Sequence, residues 1–208
     1  LPPPFEKSVF LNCPFDDDYA PILQALAFCI VYLGFHPRLA PENADNAAAR
    51  LDRIADLIRG SKYGIHDLSR CKASTVDEYA RMNMPFELGL DHACRRFGPL
   101  PLTEKRILVL EHTRYDYQRA LSDISGWDIQ AHAGDYEKAV RHVRSWLIAQ
   151  AGAAAIGSAK IQGKYIAFQE WYWEREWALG SSEEDIQEYP TAELIRAMHE
   201  WKGAGEPV

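Results

Sequence analysis

The sequence predicts a doubly wound α/β domain, a five-stranded parallel sheet with helices on both faces, followed by a C-terminal helical extension. Short apolar runs bounded by turn residues alternate with amphipathic stretches of helical period. The connections between runs are long enough to hold a helix, which implies parallel strands joined by right-handed crossovers. At 208 residues, 47% of them hydrophobic, the chain can build one such core and a small appendage.

Ser8–Asn12 is a short apolar run after a Pro-rich lead, closed by Cys13, Pro14, Phe15 and three aspartates, as expected of a buried strand running into a helix cap. The first helix starts near Asp18 and stops at Gly34, and residues 35–40 form the second strand. Residues 47–59 place Leu51, Ile54, Ala55 and Ile58 on one face of a second helix, ended by Gly60. A third strand, Tyr63–Asp67, opens into a polar stretch through Arg81, long for a connection in a compact α/β unit and so a candidate site loop. The third helix begins near Pro85, carries an apolar stripe of Phe86, Leu90, Ala93, Cys94 and Phe97, and stops at Gly98. Residues 107–110 are the clearest buried strand. A short helical piece over 115–122, a weak strand at 128–131 and an amphipathic helix over 135–150 complete the alternation, the last with Tyr136, Val140, Val143 and Leu147 inward. Residues 1–150 therefore form the α/β domain.

An Ala/Gly-rich stretch over 151–157 marks the shift into the extension, 151–208. Its aromatic stripe of Tyr165, Phe168, Trp171, Tyr172 and Trp177 is expected to pack on the parent domain, a homo-oligomer interface being the other use of such a stripe. A short helix from Pro190 to Trp201 ends it.

A formal charge of -7 and a pI near 5.5 argue against an extended nucleic-acid partner, whose affinity comes from clustered Lys and Arg. A nucleotide-sized ligand needs only one or two local cations and stays open. The longest apolar-rich run, residues 20–35, is broken by Pro21 and Gln24 and reads as a buried helix, not a membrane span. The opening residues lack the basic start and apolar core of a secretion signal, and the absent initiator Met points to a trimmed start, so a cytoplasmic protein is expected. Cys13, Cys29, Cys71 and Cys94 form no Cys-x-x-Cys pair, which predicts reduced thiols without disulfides or structural zinc. The seven histidines offer no metal-ligand spacing, so no metal is expected; phosphate-loop and nucleophile-elbow patterns are missing too.

In a doubly wound sheet, ligands bind beyond the carboxyl ends of the strands. Residues 12–18 follow strand one, Arg38 ends strand two, Asp67 ends strand three, and His112 and Arg114 follow strand four. Asn83 reads as the cap of helix three and Pro85 fits its first turn. Glu87 then lies among unpaired backbone N–H groups at the positive helix end, which favours its carboxylate by roughly 0.3–1 kcal/mol. Taken alone, Glu87 reads equally as decoration of the helix terminus. Asp67 has two open roles, chemistry on a ribose or capping of its loop. Phe15 either stacks on a base or staples the helix start. Asp16, Asp17, Asp18 and Tyr19 read mainly as capping material, with ribose contact as the alternative. Arg38 meets a phosphate or forms a surface ion pair.

The segment Asn83, Met84, Pro85, Phe86, Glu87, Leu88, Gly89, preceded by Tyr63–Asp67, Leu68 and Ser69, resembles the Asn-x-x-x-x-Glu-Leu-Gly signature of nucleoside 2-deoxyribosyltransferases and related nucleotide N-glycosidases. It is also similar to the TIR-like domains of bacterial defence proteins, which share a flavodoxin-like architecture and cleave NAD. The likeness spans about residues 9–147. It implies that Glu87 attacks or stabilises the anomeric carbon and that Asp67 contacts the sugar or leaving base. It also implies a ligand held by the opening loop, Asn12, Cys13, Pro14, Phe15 and Asp16, with Tyr19, Arg38, Asn83 and Met84 nearby. Two departures, Cys13 in place of the transferases' Gly and Arg81 near the position of a preceding acid, weigh against base exchange more than against glycosidic cleavage.

The implied function is cleavage of the nicotinamide–ribose bond of NAD or a related nucleotide, with no cofactor beyond that substrate. A fixed carboxylate stabilises the oxocarbenium character of such a bond cleavage. The cationic pyridinium needs no proton to leave, whereas a neutral base leaves better with one. A nucleoside or nucleotide 2-deoxyribosyltransferase or hydrolase is the alternative within the superfamily, and a non-catalytic TIR-like nucleotide sensor the alternative outside enzymology. A phospho-acceptor receiver fits poorly, because the acids lie several residues past strand one and the Lys expected after the last strand is missing.

Overall fold

The structure, a computed structural model, describes residues 2–40, 50–73, 75, 80, 82–188 and 190–207. Five strands, β1 (Ser8–Asn12), β2 (His36–Arg38), β3 (Tyr63–Asp67), β4 (Arg106–Glu111) and β5 (Gln130–Ala131), form one sheet. Every neighbouring pair is parallel and the spatial order is β2-β1-β3-β4-β5, so the fold is flavodoxin-like. Between and after the strands run α1 (Ala20–Tyr32), α2 (Arg50–Arg59), α3 (Asn83–Phe97), α4 (Tyr136–Ala151), α5 (Ser158–Ala178), α6 (Glu183–Gln187) and α7 (Thr191–Gly203). The expected start of the second helix at Ala47, and much of the expected site loop as far as Arg81, lie outside the described residues.

β1 and β3 are buried along their whole length, which explains why they read as continuous runs and not as alternating patterns. α1 and α4 cover one sheet face and share a single core with α5 and α7. Phe28 of α1 lies with its ring centroid 5.2–5.9 Å from Tyr32, Tyr165, Phe168 and Trp201, binding the extension to the domain through aromatic contacts. Lys202 donates to the carbonyls of Val31 and Tyr32, completing the last turn of α1. Tyr165, Phe168 and Tyr172 are buried as expected, but Trp177 is exposed and Trp171 only half-buried. The residues that face inward recur at positions 161, 165, 168 and 172, and Trp177 falls outside that arc.

Two helix faces differ from the sequence expectation. On α3 the buried residues are Met84, Glu87, Leu88 and Asp91, whereas Phe86 is 56% exposed and Phe97 82% exposed. The helix is rotated because Asp91 finds buried polar partners on the sheet side, described below. Leu51 of α2 is exposed, and buried Ile54 and Ile58, with half-buried Leu57 beside them, carry that helix onto Phe10 and Ala40. The expected helical piece at 115–122 consists of two short 3-10 turns, Asp116–Arg119 and Ser122–Ile124. Among the described residues no helix is long and apolar enough to cross a membrane.

Candidate functional site

The strand order reverses between β1 and β3, and the crevice at that switch point is where this architecture binds ligands. A cavity of about 430 Å³ opens there. Seven of the residues expected at the site line it: Asn12, Cys13, Pro14 and Phe15 after β1, and Asn83, Met84 and Glu87 at the start of α3. Ala40, Arg50, Phe10 and Leu11 complete the lining. The volume suits a nucleotide fragment, since small-molecule sites run from roughly 300 to 1,000 Å³.

Glu87 is 7% exposed, and its carboxylate accepts no hydrogen bond from any described residue. Burial pushes it up to about 7, with the Arg50 cation pulling it back only in part. This reverses the sequence expectation of a carboxylate stabilised by the helix end. Asn83 is the first helical residue and not its cap; Met82 takes the cap position with no side-chain hydrogen bond. Glu87 thus sits one turn past the unpaired N–H groups, where the helix field has faded and desolvation dominates.

The elevated Glu87 carboxyl has a consequence for stability. Below its ordinary value of 4.5 the group is protonated in both folded and unfolded chains and contributes nothing. As pH rises from there to about 7 the unfolded chain releases its proton first, so stability falls, and the full cost persists above about 7. Glu87→Gln should therefore stabilise the protein by about 2 kcal/mol at pH 8, allowing for screening through the cavity mouth, and hardly at all at pH 4. Denaturant midpoints at the two pH values check this; equal effects at both would mean that the carboxyl is fully solvated.

A buried polar network runs inward from Asn12 of the cavity lining. The Asn12 side-chain amide donates to His66 Nδ1 and to the Met84 carbonyl, each at 2.9 Å, joining β1, β3 and the start of α3. With Nδ1 accepting, the His66 proton sits on Nε2 and is donated to Asp91 Oδ2 at 2.9 Å. The Lys105 ammonium stands 3.1 Å from Asp91 Oδ1 as an ion pair outside hydrogen-bond geometry, and donates to the carbonyls of Ile58 and Ser61. His66, Asp91 and Lys105 are wholly buried. Gly64 makes room for them, since a Cβ there would lie 2.1 Å from Asp91 Oδ2.

Four expected site residues do not line the cavity. Asp67 Oδ2 accepts from Tyr19 Oη at 2.7 Å and His132 Nε2 at 2.9 Å, and Oδ1 accepts the Ser69 N–H at 2.8 Å. Burial raises Asp67, but these bonds outweigh it and hold the carboxylate below its usual range. Tyr19 and Asp67 thereby fasten the start of α1 to the ends of β3 and β5. Asp16 accepts a two-pronged ion pair from Arg70, at 2.7 and 3.2 Å, tying the loop after β1 to the loop after β3. Arg38 extends toward Gly60, where Nη1 lies 3.8 Å from an ideal Cβ position, so its guanidinium turns away from the carboxyl edge of the sheet. Arg50 supplies the cation at the cavity instead.

Two other chemistries are disfavoured by the geometry. Cys13 lines the cavity, but burial and the nearby charges of Asp67, Glu87 and Asp16 push its thiol well up, so the nucleophilic thiolate is suppressed. Ser69, His132 and Asp67 lie together like a serine triad, with Ser69 Oγ 3.1 Å from His132 Nε2. That same nitrogen faces Asp67, and His132 Nδ1 accepts the Gly134 N–H, so Nε2 carries the proton and cannot take one from the hydroxyl. Ser69 also borders a second concavity of about 210 Å³ with Lys72, His112, Asp116 and Arg119, where acids and bases are mixed. Among the described residues no group of three or more His, Cys, Asp or Glu is placed to hold a metal ion.

No family model, curated protein or solved structure matches the chain.

Proposed function

We propose that this protein is a nucleotide N-glycosidase that cleaves the nicotinamide–ribose bond of NAD or a related nucleotide. The observation that carries this reading is Glu87, a nearly buried carboxyl without a hydrogen-bond donor from the described residues, in a nucleotide-sized cavity at the switch point. A carboxylate held in that state has its charge available for a developing cation. As the C1′–N bond breaks, its electron pair goes to the pyridinium nitrogen, neutral nicotinamide leaves, and positive charge grows on the ribose. Glu87 stabilises that charge; water then adds at C1′ and loses its proton, leaving the ribose hydroxylated. Arg50 offers a partner for a ligand phosphate, Asn83 a partner for ribose hydroxyls, and Phe15 an apolar wall.

The test is release of nicotinamide from NAD by the purified chain, followed by mass spectrometry. Glu87→Gln should lower kcat by about 100- to 1,000-fold, the cost of removing one transition-state charge partner. Because the ionised form does the work and Glu87 titrates near 7, kcat/KM should climb with pH to about 7 and then level off. Undiminished turnover by Glu87→Gln would sink the assignment.

The same elevation favours a second reading, hydrolysis or transfer of a neutral purine or pyrimidine base with protonated Glu87 as the acid. The pH profile then runs the other way, falling above about 7, and a base appears from a supplied nucleoside or nucleotide. Calorimetric binding of the nucleotide without turnover would instead mark a sensor.

A further inference from the structure

The outer face of α5 is built like half of a helix pair. Its inner residues, Ile161, Tyr165, Phe168 and Tyr172, are buried in the main core. On the other side Ala159, Gly163, Ile166, Glu170, Trp173 and Trp177 are all exposed, and they recur at alternating intervals of four and three residues. That is the spacing of a coiled-coil seam. Ile166 is 49% exposed, Trp173 38% and Trp177 60%, an apolar concentration that single scattered surface residues do not produce.

The seam is graded in size, with the two smallest residues near the helix start and two tryptophans at its end. We propose that this face pairs with the α5 of a second copy, antiparallel about a two-fold axis at the level of Phe168. Residues equidistant from Phe168 then face each other: Trp177 meets Ala159 of the second copy, Trp173 meets its Gly163, and Ile166 meets its Glu170. A parallel pair would set tryptophan on tryptophan and leave a void between the small residues. Gly163 supports the antiparallel form independently. A Cβ at that position would meet nothing within 4 Å among the described residues, so their packing does not require the helix-weakening glycine. A facing indole does.

Charge complementarity selects the same orientation. Lys160 and Glu174, both exposed, flank the seam on one side. Antiparallel pairing brings Lys160 of each copy beside Glu174 of the other, whereas parallel pairing would put these flanks on opposite sides of the seam and leave both charges without their partners. Glu170, the one acid in the seam, sets the register as a polar seam residue does, and it limits affinity.

Sedimentation of the full chain from micromolar to several hundred micromolar should show a monomer–dimer equilibrium. Gly163→Leu, which adds helix propensity and fills the indole seat, should weaken the dimer more than about tenfold, and Glu170→Leu should strengthen it. Glu174→Lys should weaken it and the Lys160→Glu, Glu174→Lys exchange should restore it. A monomer at every concentration, or a dimer indifferent to Gly163→Leu, overturns the proposal, and a dimer unaffected by charge reversal overturns its antiparallel arrangement.

Discussion

Lys105→Met should destabilise the fold by about 3–5 kcal/mol, measured by denaturant unfolding at neutral pH, because it strands a buried charge. The ammonium is the cationic partner of Asp91 and also donates to the carbonyls of Ile58 and Ser61. Met matches the stem in length but offers none of those donors. Asp91 is left with the His66 N–H, in a setting closed to water. Removing one member of such a pair costs more than removing both, so a Lys105→Met, Asp91→Leu double variant should be milder than either single change. A loss below about 1 kcal/mol would show that water reaches Asp91 and that the pair is not sealed.

Gly64→Ala should be nearly as damaging, at about 2–3 kcal/mol, for a steric reason acting on the same group. The new methyl would lie 2.1 Å from Asp91 Oδ2, 2.9 Å from His66 Nε2 and 3.2 Å from Asp91 Cγ. The carboxylate is held between the His66 ring and the Lys105 ammonium, so it cannot swing aside without giving up a partner. Unfolding of Gly64→Ala in wild-type and Asp91→Ala backgrounds forms a double-mutant cycle that isolates the contact. Equal costs in both backgrounds would show that the strain lies elsewhere in β3.

How much of this was legible in the residues depends on whether the signal was local. Apolar runs such as that around residues 107–110 and the stops at Gly34, Gly60 and Gly98 report on their own neighbourhoods, and the strand–helix alternation read from them is the one found. The grouping of Asn12–Phe15 with Asn83, Met84 and Glu87 followed from strand-end placement and the motif, and the fold brings them around one cavity. The facing of α3 was not legible. Periodicity ranks Phe86 and Phe97 above Asp91, but Asp91 is drawn inward by His66 and Lys105, residues on or beside strands distant in sequence. The place of Arg50 at the cavity carries no local signal either. Arg38 ends a strand and Arg50 opens a helix, and only the path of each side chain distinguishes them.

The Asn12 amide holds three elements at once, the end of β1, the ring on β3 and the first turn of α3. The base of the hollow is therefore rigid before any guest arrives. Association need not enlist an induced rearrangement at that depth, and less of the contact free energy is diverted into ordering the host.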